Sequence, residues 1–142
     1  MRAAALRAHL TGLRLAAVGG APRSGRKREG YMPQFSLRLY SVSLETMKKV
    51  RPVVEEIARH DPDLARQLRR ALTSIHLNLS EGMDSEGRIR HSRYRTALGS
   101  TNECIAALDA GCALGYLATI PEDAADGLQH VRATLLKLVM RK

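Results

Sequence analysis

Aromatic side chains are scarce in this chain: they make up 4% of the residues, with one Phe, four Tyr and no Trp. That scarcity argues against a sheet sandwich, whose core leans on rings and β-branched residues, and against a row of bases stacked on rings. Cysteine is nearly absent too. Cys104 and Cys112 lie eight residues apart on one predicted helix, about 12 Å along its axis and beyond disulfide reach. They read as small core residues in a reducing cytoplasm. No apolar run approaches the roughly 18 residues of a membrane span. Catalytic signatures are missing as well. There is no Gly-rich phosphate loop, no nucleophile elbow and no His-Glu-x-x-His pattern. The five histidines are scattered over separate elements, and His76 reads as a solvated residue. No acids pair on a helical core face as a metal site in a bundle requires. The expectation is a protein that is not an enzyme and carries no cofactor and no metal.

What is present is helical. The remaining apolar inventory of Leu, Ile, Val, Ala and Met suits a helix bundle. A first helix runs from Ser36 or Ser43 to His60, with Tyr40, Leu44, Met47, Val54 and Ile57 as its stripe and Pro52 as an expected kink or break. Asp61-Pro62 opens a second helix reaching Glu81, with Leu64, Leu68, Ala71, Leu72, Ile75 and Leu79 on one side and Gly82 as its stop. The third spans Arg88 to Leu114, with Tyr94, Leu98, Thr101, Ile105, Leu108 and Cys112 facing the core. Its opposite side carries Gly99, Ser100, Ala106, Ala107, Ala110 and Leu114, with Glu103 among them. Small uncharged residues on a back face imply a covering partner, so Ala106, Ala107 and Ala110 are candidate subunit contacts. Glu103 is expected to pair with Arg69 or Arg70, because an isolated buried charge is costly. Gly115 ends that helix and Pro121 opens a fourth, whose stripe is Leu128, Val131, Leu135 and Leu138. With short connectors and no strand-like alternation, the expected fold is all-α, an antiparallel up-down-up-down four-helix bundle.

The net charge of +9 is unevenly placed. Residues 1–32 hold seven bases against one acid, a balance of +6, while residues 33–142 hold sixteen bases against thirteen acids, only +3. The chain therefore divides into a basic extension, 1–32, expected to be disordered or to precede a true start at Met32, and a bundle domain, 33–142. The extension's one apolar patch is broken by Arg14, too early for the h-region of about 7–15 residues in a secretory signal. In the bundle, two basic sets could meet phosphates: Arg66, Arg69 and Arg70 on the second helix, and Arg88, Arg90, Arg93 and Arg95 opening the third. Solvated helices carry such sets routinely, so solvated surface stands beside phosphate contact as a reading.

The second and third helices read QLRRALTSIHLNLSEG and RYRTALGSTNECIAALDAGCALGYL. Asn78, Glu81 and Gly82, then Gly99, Ser100 and Glu103, then Gly115 and Tyr116 are the fixed points of a pattern. In it the chain resembles the four-helix-bundle proteins encoded in intervening sequences of bacterial 23S ribosomal RNA genes. His76, where the family often has Pro, and Pro52 depart from it. The resemblance implies a cytoplasmic, ring-like homopentamer without catalytic residues. It also implies a distant likeness in fold to the accessory variability determinant protein of diversity-generating retroelements, which works with a reverse transcriptase and nucleic acid. Two expectations follow: an oligomer that binds structured RNA or DNA through basic surfaces, or a protein-interaction module with no nucleic-acid role.

Overall fold

The computed structural model describes residues 33–141, and the expectations for residues 1–32 lie outside them. Four helices follow in order: α1, Pro33–His60; α2, Pro62–Asp84; α3, Gly87–Ala113; and α4, Glu122–Met140. Each packs on its neighbours around a square, α1 on α2, α2 on α3, α3 on α4 and α4 back on α1, with the α2–α3 seam the most extensive. The expected bundle is the one observed, and no strand occurs among the described residues. Among them, no helix is long and apolar enough to cross a membrane.

Local chemistry sets the boundaries. Asp61 alone separates α1 from α2, and its carboxylate accepts from the amides of Asp63 and Leu64 at 3.0 and 2.9 Å. That satisfies two of the donors a helix start leaves open, while Pro62 behind it has no amide to satisfy. At the other end of the bundle only Ser85 and Glu86 join α2 to α3, which forces an antiparallel hairpin. α3 ends at Gly115, whose φ of +76° is a left-handed conformation. The Tyr116 amide donates to the Gly111 carbonyl at 2.8 Å and the Gly115 amide to Cys112 at 3.0 Å, a Schellman closure. Tyr116 then stacks on His60, ring centroids 5.4 Å apart, and so ties this turn to the end of α1.

Large fully buried side chains come from all four helices: Leu39, Val50 and Ile57, Leu68 and Leu79, Leu108, then Leu128, Val131 and Leu135. Removing any one of these leucines to Ala would cost about 2–5 kcal/mol.

Four sequence expectations give way. Of the kink or break expected at Pro52, the break does not occur: α1 runs on through it, with Pro52 exposed so that its missing bond opens toward water. Gly82 does not stop α2; it is buried inside the helix, against the ring of Tyr94. In α1, Leu44 is exposed and Tyr40 and Met47 are half-buried, while Ser36, Leu39, Ser43, Thr46 and Val50 turn inward. Thr46 lies so close to Gly127 of α4 that a Cβ there would meet its hydroxyl at 2.7 Å, so small residues rather than large ones define that side of α1. α3 is rotated in the same sense. Its inward face is Ala97, Ser100, Thr101, Cys104, Ala107, Leu108 and Gly111, and Leu98, Ile105 and Cys112 sit at the flank.

Candidate nucleic-acid interface

Alternating helix direction brings the start of α1, the end of α2, the start of α3 and the end of α4 to one end of the bundle. Contacts between the helices hold that end together. The hydroxyls of Ser36 and Tyr94 meet at 3.2 Å, and Nε2 of His91 lies 3.0 Å from the Val139 carbonyl. Among the described residues seven bases gather there, Arg38, Arg88, Arg90, Arg93, Arg95, Lys137 and Arg141, against the three acids Glu81, Asp84 and Glu86. The opposite end has the reverse balance. It carries Glu55, Glu56, Asp61, Asp63, Asp109, Glu122 and Asp123; Arg51, Arg59 and Arg66 sit in ion pairs with Glu55, Glu56 and Asp63, while Arg69 and Arg70 are exposed with no ion pair among the described residues. The bundle is therefore polarised along its axis, with a basic pole.

The bases of the pole differ in what they do. Arg90 donates from Nε to the Gly82 carbonyl at 3.2 Å, and Arg93 reaches Glu81 at 2.8 Å. Both fasten α3 to the last turn of α2, where a cation also opposes the helix dipole. Arg88 and Arg95 are exposed and make no ion pair among the described residues. Arg38, Lys137 and Arg141 share that freedom and line a recess between α1 and α4 of about 250 Å³, with Leu39, Leu138, His130 and Thr134. Sequence reasoning missed these three because Arg38 stands at one end of the domain's sequence and Lys137 and Arg141 at the other, all of them far from the third helix in the chain. The up-down-up-down topology was the available signal, since it places the first helix's start beside the fourth helix's end.

Arg66, Arg69 and Arg70 are not part of this surface. They stand twelve or more residues before Gly82 on α2, about 18 Å or more down the axis. Arg66 pairs with Asp63 at 2.9 Å, and Arg70 is exposed. Arg69 borders a groove of about 570 Å³ between α1 and α2, floored by Leu44, Met47, Val54 and Leu72. Beside it, His76 is not solvated as expected. Its Nδ1 lies 2.9 Å from the Ser43 hydroxyl and its ring 4.3 Å from that of Tyr40, and burial lowers its pKa below 6.5.

The motif residues turn out mostly architectural. Ser74 and Ser100 bond across the α2–α3 seam at 2.8 Å, and Asn78 Nδ2 donates to the Ser74 carbonyl at 2.9 Å and to its hydroxyl at 3.2 Å. Asn78 Oδ1 is buried with no hydrogen-bond partner among the described residues. Glu103 is exposed and pairs with neither Arg69 nor Arg70. The expected pair fails because the rotation of α3 carries Glu103 out to solvent, where no partner is needed. The same rotation buries Ala107 in the chain's own core, which removes it from the candidate subunit contacts; Ala106 stays exposed and Ala110 half-exposed. Gly99 is open, with nothing within 4 Å of a Cβ placed there. Cys104 is buried in the seam, and burial together with the nearby Glu103 charge pushes its thiol pKa up to about 12. No cluster of His, Cys, Asp or Glu able to hold a metal ion occurs among the described residues.

A basic-poled, four-helix, all-α bundle with short up-and-down connections is the class these features define. The chain belongs to the 23S rRNA-intervening sequence protein family, whose pattern matches residues 36–137. It is also similar in fold to a crystal structure of a protein of unknown function from the S23 ribosomal protein family of Bacteroides thetaiotaomicron VPI-5482. The TM-score is 0.66 at 17% identity, covering 74% of this chain and 97% of that one. No curated protein matches the chain at a significant level.

Proposed function

We propose that this chain is a non-catalytic, self-associating cytoplasmic bundle that binds structured RNA or DNA through phosphate contacts at its basic pole. The observation that carries the reading is the gathering, among the described residues, of seven bases from three separate segments at one end against three acids, while at the far end acids outnumber bases and Arg51, Arg59 and Arg66 are held in ion pairs. Phosphate backbones are recognised by such groups with little regard to sequence. Arg88 and Arg95, exposed and unpaired among the described residues, are the first contacts to test. Self-association, as the pentamer implied by the family resemblance, draws support from exposed Leu37, Leu44 and Leu77 on α1 and α2 and from the small residues Gly99 and Ala106 on α3.

Fluorescence anisotropy with structured RNA and duplex DNA at two salt concentrations tests the binding. Affinity should fall steeply with salt, and Arg88→Gln with Arg95→Gln should lower the slope of log K against log salt by about 2. Light scattering at micromolar concentration tests the association; a mass of 15.6 kDa, that of a single chain, would refute it. The α1–α2 groove favours a second reading, a module that docks another protein, such as a reverse transcriptase, on an apolar floor. Absence of binding to either nucleic acid at low salt decides for it.

A further inference from the structure

The recess between α1 and α4 differs from the rest of the basic pole. Arg38 comes from the second turn of α1, and Lys137 and Arg141 from the last turn of α4 and the residue beyond it. His130 and Thr134 continue the wall, and Leu39 and Leu138 supply an apolar side. No acid lines it, and none of the three full positive charges has an ion pair among the described residues. Elsewhere on the bundle Lys48, Arg51, Arg59, Arg66 and Arg93 each have a carboxylate within 4.0 Å, and Arg69, Arg70, Arg88 and Arg95 have none among the described residues, so what sets the recess apart is that three such charges line one concavity. Three like charges converging on one concavity repel each other, and the low-dielectric wall beside them sharpens the field. An anion of more than one charge relieves that repulsion best. The volume of about 250 Å³ falls short of the space taken by drug-sized ligands. It suits one phosphate-bearing unit, not a length of strand.

We infer that this recess seats a terminal phosphate with the single nucleotide that carries it. Arg38, Lys137 and Arg141 hold the phosphoryl oxygens, and Leu39 and Leu138 receive the less polar face of the sugar or base. A terminal phosphate carries close to two negative charges at neutral pH, against one on an internal diester. That difference selects strand ends and free mononucleotides over the interior of a duplex. The identity of the bound group rests on the nucleic-acid reading above. The site itself rests on the recess and its unpaired charges.

The test is fluorescence anisotropy of the full chain with a short labelled RNA bearing either a 5′-phosphate or a 5′-hydroxyl, in moderate salt. The phosphorylated strand should bind about tenfold tighter. Combined Arg38→Gln, Lys137→Gln and Arg141→Gln should abolish that preference and leave the thermal melt in place, since these side chains are exposed. Arg88→Gln with Arg95→Gln should weaken both strands alike and keep the preference. Displacement by adenosine monophosphate would show that a free nucleotide suffices, whereas preference without displacement would place the specificity in a strand end; either supports the site. If neither strand binds but adenosine monophosphate still does, and the triple variant loses it, the general reading fails and the recess stands. Equal binding of the two strands with no displacement overturns the inference. Displacement by inorganic phosphate as effective as by the nucleotide overturns the role of the apolar side.

Discussion

Replacing Gly82 by Ala ought to stabilise a helix, and in this bundle it should do the reverse. A Cβ at that position would meet Cδ1 of Tyr94 at 2.7 Å and Cε1 closer still. The ring is the body of a side chain only 3% exposed, and its hydroxyl is tethered to Ser36 at 3.2 Å. It has no free end to swing aside, so either the ring or the α2–α3 spacing must move. Overpacking of this kind costs about 1–3 kcal/mol, and breaking the Ser36 bond adds about 1 kcal/mol. Against these, removing a glycine from a helix interior returns about 1 kcal/mol. The balance is a loss of about 2 kcal/mol, or a midpoint about 8 °C lower for a domain of this size. Thermal melts followed by circular dichroism would read it, with Gly99→Ala as the control. Gly99 has nothing within 4 Å of a Cβ, so there the same substitution should raise the midpoint. Combining Gly82→Ala with Tyr94→Leu should cost less than the two changes summed, since both act on one contact. A Gly82→Ala protein that melts at or above the parent temperature would refute the reasoning.

Two further outcomes are open to simple measurement. Gly115→Ala should destabilise by about 1 kcal/mol because its φ of +76° is left-handed, and a urea titration with an unchanged midpoint would contradict it. Cys104, buried and with its thiol pKa pushed up to about 12, should resist a maleimide reagent at neutral pH while half-buried Cys112 reacts. Mass spectrometry of the native protein should therefore find one adduct before two, carried on Cys112.

The existence and direction of all four helices could be read from sequence because their leucines, isoleucines and valines repeat at helical spacing and their ends carry strong punctuation. Asp61-Pro62 and Gly115 behave as their chemistry dictates. The rotation of α3 was not legible, and the reason is physical. Its inward positions Ala97, Ser100, Thr101, Cys104, Ala107 and Gly111 are small, and burying small side chains contributes little free energy either way. Flanking Leu98 and Ile105 therefore dominated the pattern although they sit at its edge. Gly82 misled for a related reason. A glycine near a helix end reads as a stop until the partner ring that demands its missing Cβ is known. Of the candidate interface, Arg88 and Arg95 could be picked out as a local run. Arg38, Lys137 and Arg141 could not, since no window along the chain holds them together.

The polarity of the bundle has a kinetic consequence. A body with acids at one end and bases at the other is turned by the field of a polyanion while the two are still a Debye length apart, about 8 Å in physiological salt. Encounters that begin with the acidic end forward are repelled or reoriented, so arrival is biased toward one attitude before any side chain touches. The α1–α4 recess lies at the leading end. Raising the salt would then do more than weaken the grip. It would randomise the approach, and the association rate would fall along with the affinity.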